Sequence, residues 1–329
     1  MTDSSSIVLT SHPLQRVGAF ALLIVSGVDD ASRTPETLTG EEIDVAVAAM
    51  TADLVSTAGL VDSRARGGFW LAASYMLWPN SAMNDSQRAR RSVAERTERI
   101  TGWRAYPQEP INPCVPCWLC GRPACGWYGK VDIPLGASIE HRNHTGPGHQ
   151  GTPLCRACLV CLHAAPYGSL LARGRAVTLH SWDDEWLAAT VRRQALRTRA
   201  AATARETEAP VHWQDHAVAE LLATSRAPSS QLEVMVWSNS NRDQALVVHQ
   251  LDESLARWWH GLTPERRQQL TDLLGPQTVI NEVLFGGQRT VLRRITEQLH
   301  RQVDDPAVMD WPTVRALSSV GLEVGQAIP

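Results

Sequence analysis

All seven cysteines of this 329-residue chain fall between positions 114 and 161. Within that stretch two Cys-x-x-Cys pairs, Cys117/Cys120 and Cys155/Cys158, stand 34 residues apart. Each pair aims two thiolates at one point, and two pairs supply the four sulfurs of a tetrahedral site, a donor set that suits zinc. Gly121 follows Cys120, where a tight knuckle needs backbone without Cβ. The spacing predicts a structural Zn2+ held by Cys117, Cys120, Cys155 and Cys158, with Cys114, Cys125, Cys161 and His163 as reserve donors. A closed four-sulfur site has no open position for substrate, so it braces rather than catalyses. The plain alternatives are a loop of unliganded thiols and a disulfide framework. The latter suits small secreted domains, and seven is an odd count.

The cluster also divides the chain. The length suits about two domains, and the order of features predicts four segments: an N-terminal mainly helical part (1–113), a zinc-binding insertion (114–165), an α/β part with a hairpin (166–260) and a C-terminal helical region (261–329). The net charge of −3 excludes a global basic field that would draw the chain to nucleic acid. Lys130 is the single lysine against thirty arginines, which reads as compositional bias; the twelve tryptophans against three phenylalanines have no functional account at this level. The apolar run Val17 to Val25 is shorter than the roughly 20 residues that span a bilayer. It reads as a buried helix, in a cytoplasmic protein with no membrane partner.

Local patterns fill in the segments. Thr39 and Glu42 have capping-box spacing ahead of a helical stripe that runs to Val55. Phe69 to Leu77 is apolar and ends at the turn Trp78-Pro79-Asn80-Ser81, and a charged helix is expected from Asp85 to about Ile100. Ala176 to His180 is strand-like, and a helix follows from Trp182 to about Arg205. Leu232–Trp237 and Ala245–Leu251 alternate as strands around a Ser/Asn-rich hairpin loop. Helices are expected at 253–260, 264–274, 288–303 and 311–320. The fold class is therefore α+β: mainly helical, with a small antiparallel sheet, a zinc-ribbon-like insertion and a helical C-terminal region.

The order of these stretches resembles the CXXC-CXXC family of CRISPR-associated proteins, the large subunit of the type I-B Cascade surveillance complex. The likeness rests on His12-Pro13-Leu14-Gln15-Arg16-Val17-Gly18, on Leu38 to Glu42, on Trp78 to Ser81, on Cys117 to Ala124, on Pro153 to Cys158, on Pro166-Tyr167-Gly168 with Gly174 to Asp184, and on Trp237 to Ser240. It covers roughly residues 10–260, and the paired cysteines are its most specific part. The chain departs from the family in being shorter and in a loop rich in histidine, with His141, His144 and His149. The resemblance implies a non-enzymatic subunit that docks on guide RNA, backbone subunits and a small subunit. It also implies that this subunit reads a protospacer-adjacent motif in target DNA, supports R-loop formation and recruits a helicase-nuclease.

A duplex reader needs arginine for phosphates and asparagine or arginine for base edges. Arg142 and Asn143, in the polar loop between the cysteine pairs, fit that requirement, as do Asn239 and Asn241 in the hairpin. Arg88, Arg90, Arg91, Arg192 and Arg193 are expected to contact RNA or phosphate, or else to form solvated helix faces. Two other functions stay open. One is a zinc-knuckle HNH-type nuclease using Glu140, His141 and His144 with a divalent ion. The other is a zinc-braced scaffold that does not touch DNA.

Overall fold

In the computed structural model, which describes residues 6–28, 30, 32–136, 151–172, 174–204, 212–240, 244–304 and 309–327, the apolar run after His12 forms helix α1 (Pro13–Val25). Twelve of its thirteen residues are buried, as a helix that is apolar on every face requires. Its closest neighbour is α5 (Arg156–Ala164), which follows the second cysteine pair. A Cβ on Gly18 would stand 1.8 Å from the Cys161 carbonyl oxygen, so the two backbones meet where only glycine fits. A Cβ on Gly168 would likewise stand 2.7 Å from Val17 Cγ1.

The capping box is present at the start of α2 (Gly40–Val55): Thr39 Oγ1 accepts from Glu42 N, and Glu42 accepts from Thr39 N. Arg33 pairs with Glu42 at 2.9 Å. The apolar stretch forms helix α3 (Phe69–Leu77). The charged helix α4 (Val93–Trp103) begins eight residues later than Asp85, because Ser92 and Glu95 form a second capping box that sets its start.

Beyond α5, β3 (Ser169–Ala172) and β4 (Arg175–His180) pair antiparallel, with Leu170 opposite Val177. They open a four-stranded sheet of order β3-β4-β5-β6, with β5 at Leu232–Asn239 and β6 at Gln244–Leu251. A separate two-stranded ribbon, β1 (Gly126–Tyr128) with β2 (Thr152–Leu154), lies in the cysteine-rich stretch. The remaining helices are α6 (Asp184–Ala204), α7 (Trp213–Ala223), α8 (Glu253–Gly261), α9 (Pro264–Leu274), α10 (Gln277–Phe285), α11 (Gln288–Val303) and α12 (Trp311–Ala327). The chain is thus mainly helical with small antiparallel sheets and a helical C-terminal region, as expected. Among the described residues no helix is long and apolar enough to cross a membrane. Much of the tryptophan excess is core volume: Trp78, Trp186, Trp237 and Trp259 are among the largest fully buried side chains.

The chain divides into two compact units. One unit comprises Met1–Thr178, Val191–Pro210 and Met235–Val247; the other comprises Leu179–Thr190, Val211–Val234 and Val248–Pro329. The division follows contacts in space, and α6, β4, β5 and β6 each contribute residues to both. In the second unit Asp183 starts α6 in the manner of an N-cap, accepting from Trp186 N at 3.1 Å. The same carboxylate accepts from Ser229 N and Oγ, each at 2.8 Å, and pairs with Arg226 at 2.6 Å.

Two predictions follow from this packing. Gly18→Ala is expected to cost about 3 kcal/mol, since neither backbone can yield without shifting a helix, and calorimetry should show a Tm several degrees lower. Burial pushes the Asp183 carboxyl up, but Arg226, Ser229 and Trp186 pull it down further, well below the usual carboxylate range. A depressed carboxyl stabilises the fold fully above about pH 4 and loses that contribution as pH falls toward its folded value. Asp183→Asn should therefore be less stable than wild type at pH 7, by about 1–3 kcal/mol. The gap should close as pH drops from about 4 toward 2, read from urea midpoints.

Candidate metal centre

The first cysteine pair sits in a knuckle. Cys117 N donates to Arg122 O at 2.6 Å, and Gly121 N donates to Cys117 O at 2.9 Å. Gly121 closes the turn at φ +76°, in the left-handed region. Backbone N–H groups of Arg122 and Cys155 also donate to the Cys120 and Cys117 sulfurs, which favours thiolate there.

The second pair is built differently. Cys155 is the N-cap residue of α5 and Cys158 lies in its first turn, so this pair is a helix start and not a second knuckle. The positive end of the helix dipole favours thiolate at both positions. The ribbon delivers the pair: β2 runs antiparallel to β1, Cys125 N donates to Leu154 O at 2.9 Å, and Trp118 N donates to Pro153 O at 2.9 Å.

The result is convergence of all four predicted ligands. The Sγ atoms of Cys117, Cys120, Cys155 and Cys158 lie within 4.8 Å of one another, three of the residues being buried. Metal–sulfur bonds of about 2.3 Å in a tetrahedron place sulfurs roughly 3.8 Å apart, and Cys120 Sγ and Cys155 Sγ are 3.5 Å apart. These residues could therefore hold a metal ion. The four groups also compete for protons. The close approach of Cys120, Cys155 and Cys158 drives Cys117 far below the usual thiol range. Cys120, raised by Cys117 and lowered by Cys155 and Cys158, ends at about 7. Cys117 and then Cys120 push Cys155 and Cys158 far up.

The reserve donors lie elsewhere. Cys114 is exposed, and Cys125 Sγ meets Tyr128 OH at 3.5 Å. Cys161 is fully buried on α5, and burial pushes its thiol up to about 12. His163 uses both ring nitrogens internally. Its Nε2–H donates to the Asp132 carbonyl, which can only accept, so Nδ1 accepts from Tyr106 OH. Burial holds this imidazole neutral, well below its ordinary range, and the nearby Arg104 cation lowers it further. Arg104 donates to Tyr106 OH at 2.9 Å and stacks over Trp103 and Trp78 at 4.1 and 4.6 Å.

Two residues expected at a nucleic-acid surface are interior. Asn239 is fully buried, and its amide lies within hydrogen-bond reach of the Lys130, Leu77 and Ile133 carbonyls, at 2.8, 2.9 and 3.2 Å. Arg88 is also buried and donates to Met83 O, Thr57 O and Leu60 O. Their donors are committed to carbonyls that irregular backbone leaves without partners, which corrects the expectation that they touch nucleic acid. Arg90 is exposed, while Arg91 pairs with Asp85 at 3.0 Å. Arg192 and Arg193 are half-buried on α6. Arg142, Asn143, Asn241, Glu140, His141, His144 and His149 lie outside the described residues.

One residue the sequence does not single out is Asp132. It accepts from Trp103 Nε1 and Gly129 N through its carboxylate and from His163 through its carbonyl. With Asn239, and with Gln244 donating to Gly136 O at 3.0 Å, it fixes the 129–136 turn. Its only sequence signal is a short polar residue amid Gly129, Pro134 and Gly136.

Comparison of the chain with family models, with curated proteins and with solved structures returned no match.

Elemental analysis of the purified chain should find about one metal ion per chain, as one four-sulfur set holds one ion. Cys158→Ser should lose most of that metal and much stability, whereas Cys114→Ser should keep both. Retention of metal by Cys158→Ser, or its loss from Cys114→Ser, would show that the ligand set is wrong.

Proposed function

We propose that this chain is the large subunit of a type I guide-RNA surveillance complex of the Cascade kind. It is braced by one structural zinc ion and has no catalytic site of its own. Zinc is the metal of choice because four thiolates in a closed tetrahedral set suit it and leave no position for substrate.

What carries the proposal is the convergence of the paired cysteines, the most specific part of the resemblance, with several other resembling stretches packed in the same compact unit. Gly18, in the opening stretch, meets Cys161 just past the second cysteine pair. Gly168 of Pro166-Tyr167-Gly168 meets Val17, and Tyr167 OH donates to Asp53 Oδ2 at 2.7 Å. Asn239 of the hairpin stretch donates to Leu77 O, immediately before Trp78-Pro79.

In such a complex, base pairing between guide and target reads the sequence, and the protein reads a short flanking motif in the duplex. Arg142, Asn143 and Asn241 keep their chemistry for base edges and phosphates, and Arg90 is placed at a surface where it can meet phosphate. Asn239 and Arg88 hold the protein together instead. The partners are guide RNA, target DNA, backbone subunits, a small subunit and a helicase-nuclease, in the cytoplasm.

The test is affinity purification of the tagged full chain from its native host, followed by native mass spectrometry. Several co-purifying subunits and an RNA of uniform length are expected. Binding of that complex to target duplex should depend on the flanking motif and weaken at least about tenfold in Arg142→Ala/Asn143→Ala, the loss of one bidentate base contact. A lone chain without RNA would overturn the proposal, as would divalent-dependent DNA cleavage lost in His141→Ala/His144→Ala.

A further inference from the structure

Strand β6 (Gln244–Leu251) ends the four-stranded sheet, and among the described residues no strand pairs with its outer edge. Leu246, Val247 and Val248 are 49, 44 and 47 % exposed. Successive residues of a strand face opposite sides, so apolar surface is open on both faces. Natural edge strands are guarded by charged residues, proline or bulges. The eight residues of β6 contain no charged residue, no proline and no glycine.

We propose that this edge pairs antiparallel with the same edge of a second copy of the chain, about a two-fold axis at Val247. Unmatched backbone N–H and C=O groups of a strand edge select another strand as their occupant. The sequence selects this particular strand. A two-fold axis normal to the sheet keeps every residue on its own face, so only registers centred on a residue are allowed. Centred on Val247, the pairing sets Val247 against Val247, Leu246 against Val248, Ala245 against His249, and Gln244 against Gln250. The central apolar side chains meet each other, small Ala245 faces His249, amides meet amides, and no like charges oppose. Centring on Val248 would instead set Val247 against His249 and Leu246 against Gln250. The His249 ring lies flat on Trp213, 3.8 Å between centroids. One strand pair buries less than the ~1,200 Å² of a stable interface, so the dimer is weak and belongs to the free chain. The proposal does not rest on the function argued above.

Sedimentation velocity of the full-length chain from roughly 1 to 300 µM, the range in which an interface of this size dissociates, should show a concentration-dependent dimer. Val247→Lys places two ammonium groups opposite each other and should raise the dissociation constant at least tenfold. Circular dichroism verifies that this surface variant folds. Register is tested separately in a Cys114→Ser background. Val247→Cys faces its own copy at about 4.5–5.5 Å between Cβ atoms and should form a disulfide-linked dimer under mild oxidation, whereas Leu246→Cys faces Val248 and should link far less. A monomer at every concentration, a dimer indifferent to Val247→Lys, or equal cross-linking of the two cysteine variants would overturn the proposal. So would a chain that stays monomeric but binds an extended apolar peptide.

Discussion

Helix α5 and its N-cap residue carry two of the four clustered sulfurs, and the helix touches α1 backbone to backbone. At Gly18 no side chain fits, because the Cys161 carbonyl occupies the place a Cβ would take. The position of Cys155 and Cys158 is therefore set by the apolar core as well as by the cysteine-rich loop. Cys161 lies at that contact, while His163 is buried among Tyr106, Trp78, Trp103 and Asp132, with both ring nitrogens engaged. A metal ion held by the cluster would tie knuckle to helix, while α1 ties helix to core.

Polar groups in the first unit serve the backbone. Asn239, Arg88 and Arg96 are buried and donate to main-chain carbonyls of turns, where regular ladders supply no partner. Arg104 finds its environment in two indole faces and the Tyr106 hydroxyl. Such side chains look like nucleic-acid chemistry in a sequence. Their donors are committed to the interior instead.

Legibility followed the strength of local signals. Thr39 and Glu42 announced α2, and the periodic stretches at 264–274 and 288–303 became helices with those bounds. Helix α10 was not singled out: it is nine residues between Gly275-Pro276 and Gly286-Gly287, anchored by burial of Ile280 and Leu284. Strand β3 was hidden because Ser169–Ala172 is four residues long and gains its identity by pairing with β4. The start of α4 was misplaced because Arg-rich charge suggested a helix where the capping box at Ser92 sets a later start.

By itself, the sequence determined the fold class, most helices and the identity of the four converging cysteines. Spacing, capping and periodicity act over a few residues, and a Cys-x-x-Cys pair can aim only at a nearby point. The tertiary structure decided which neighbours are excluded from the cluster, that the second pair starts a helix, and that Asn239 and Arg88 face inward. It also decided that the compact units cut across the chain order. Those outcomes depend on burial and on carbonyls brought together from residues far apart, such as Leu77 and Lys130 at Asn239. No local pattern records which distant backbone groups will lack a partner once the core closes.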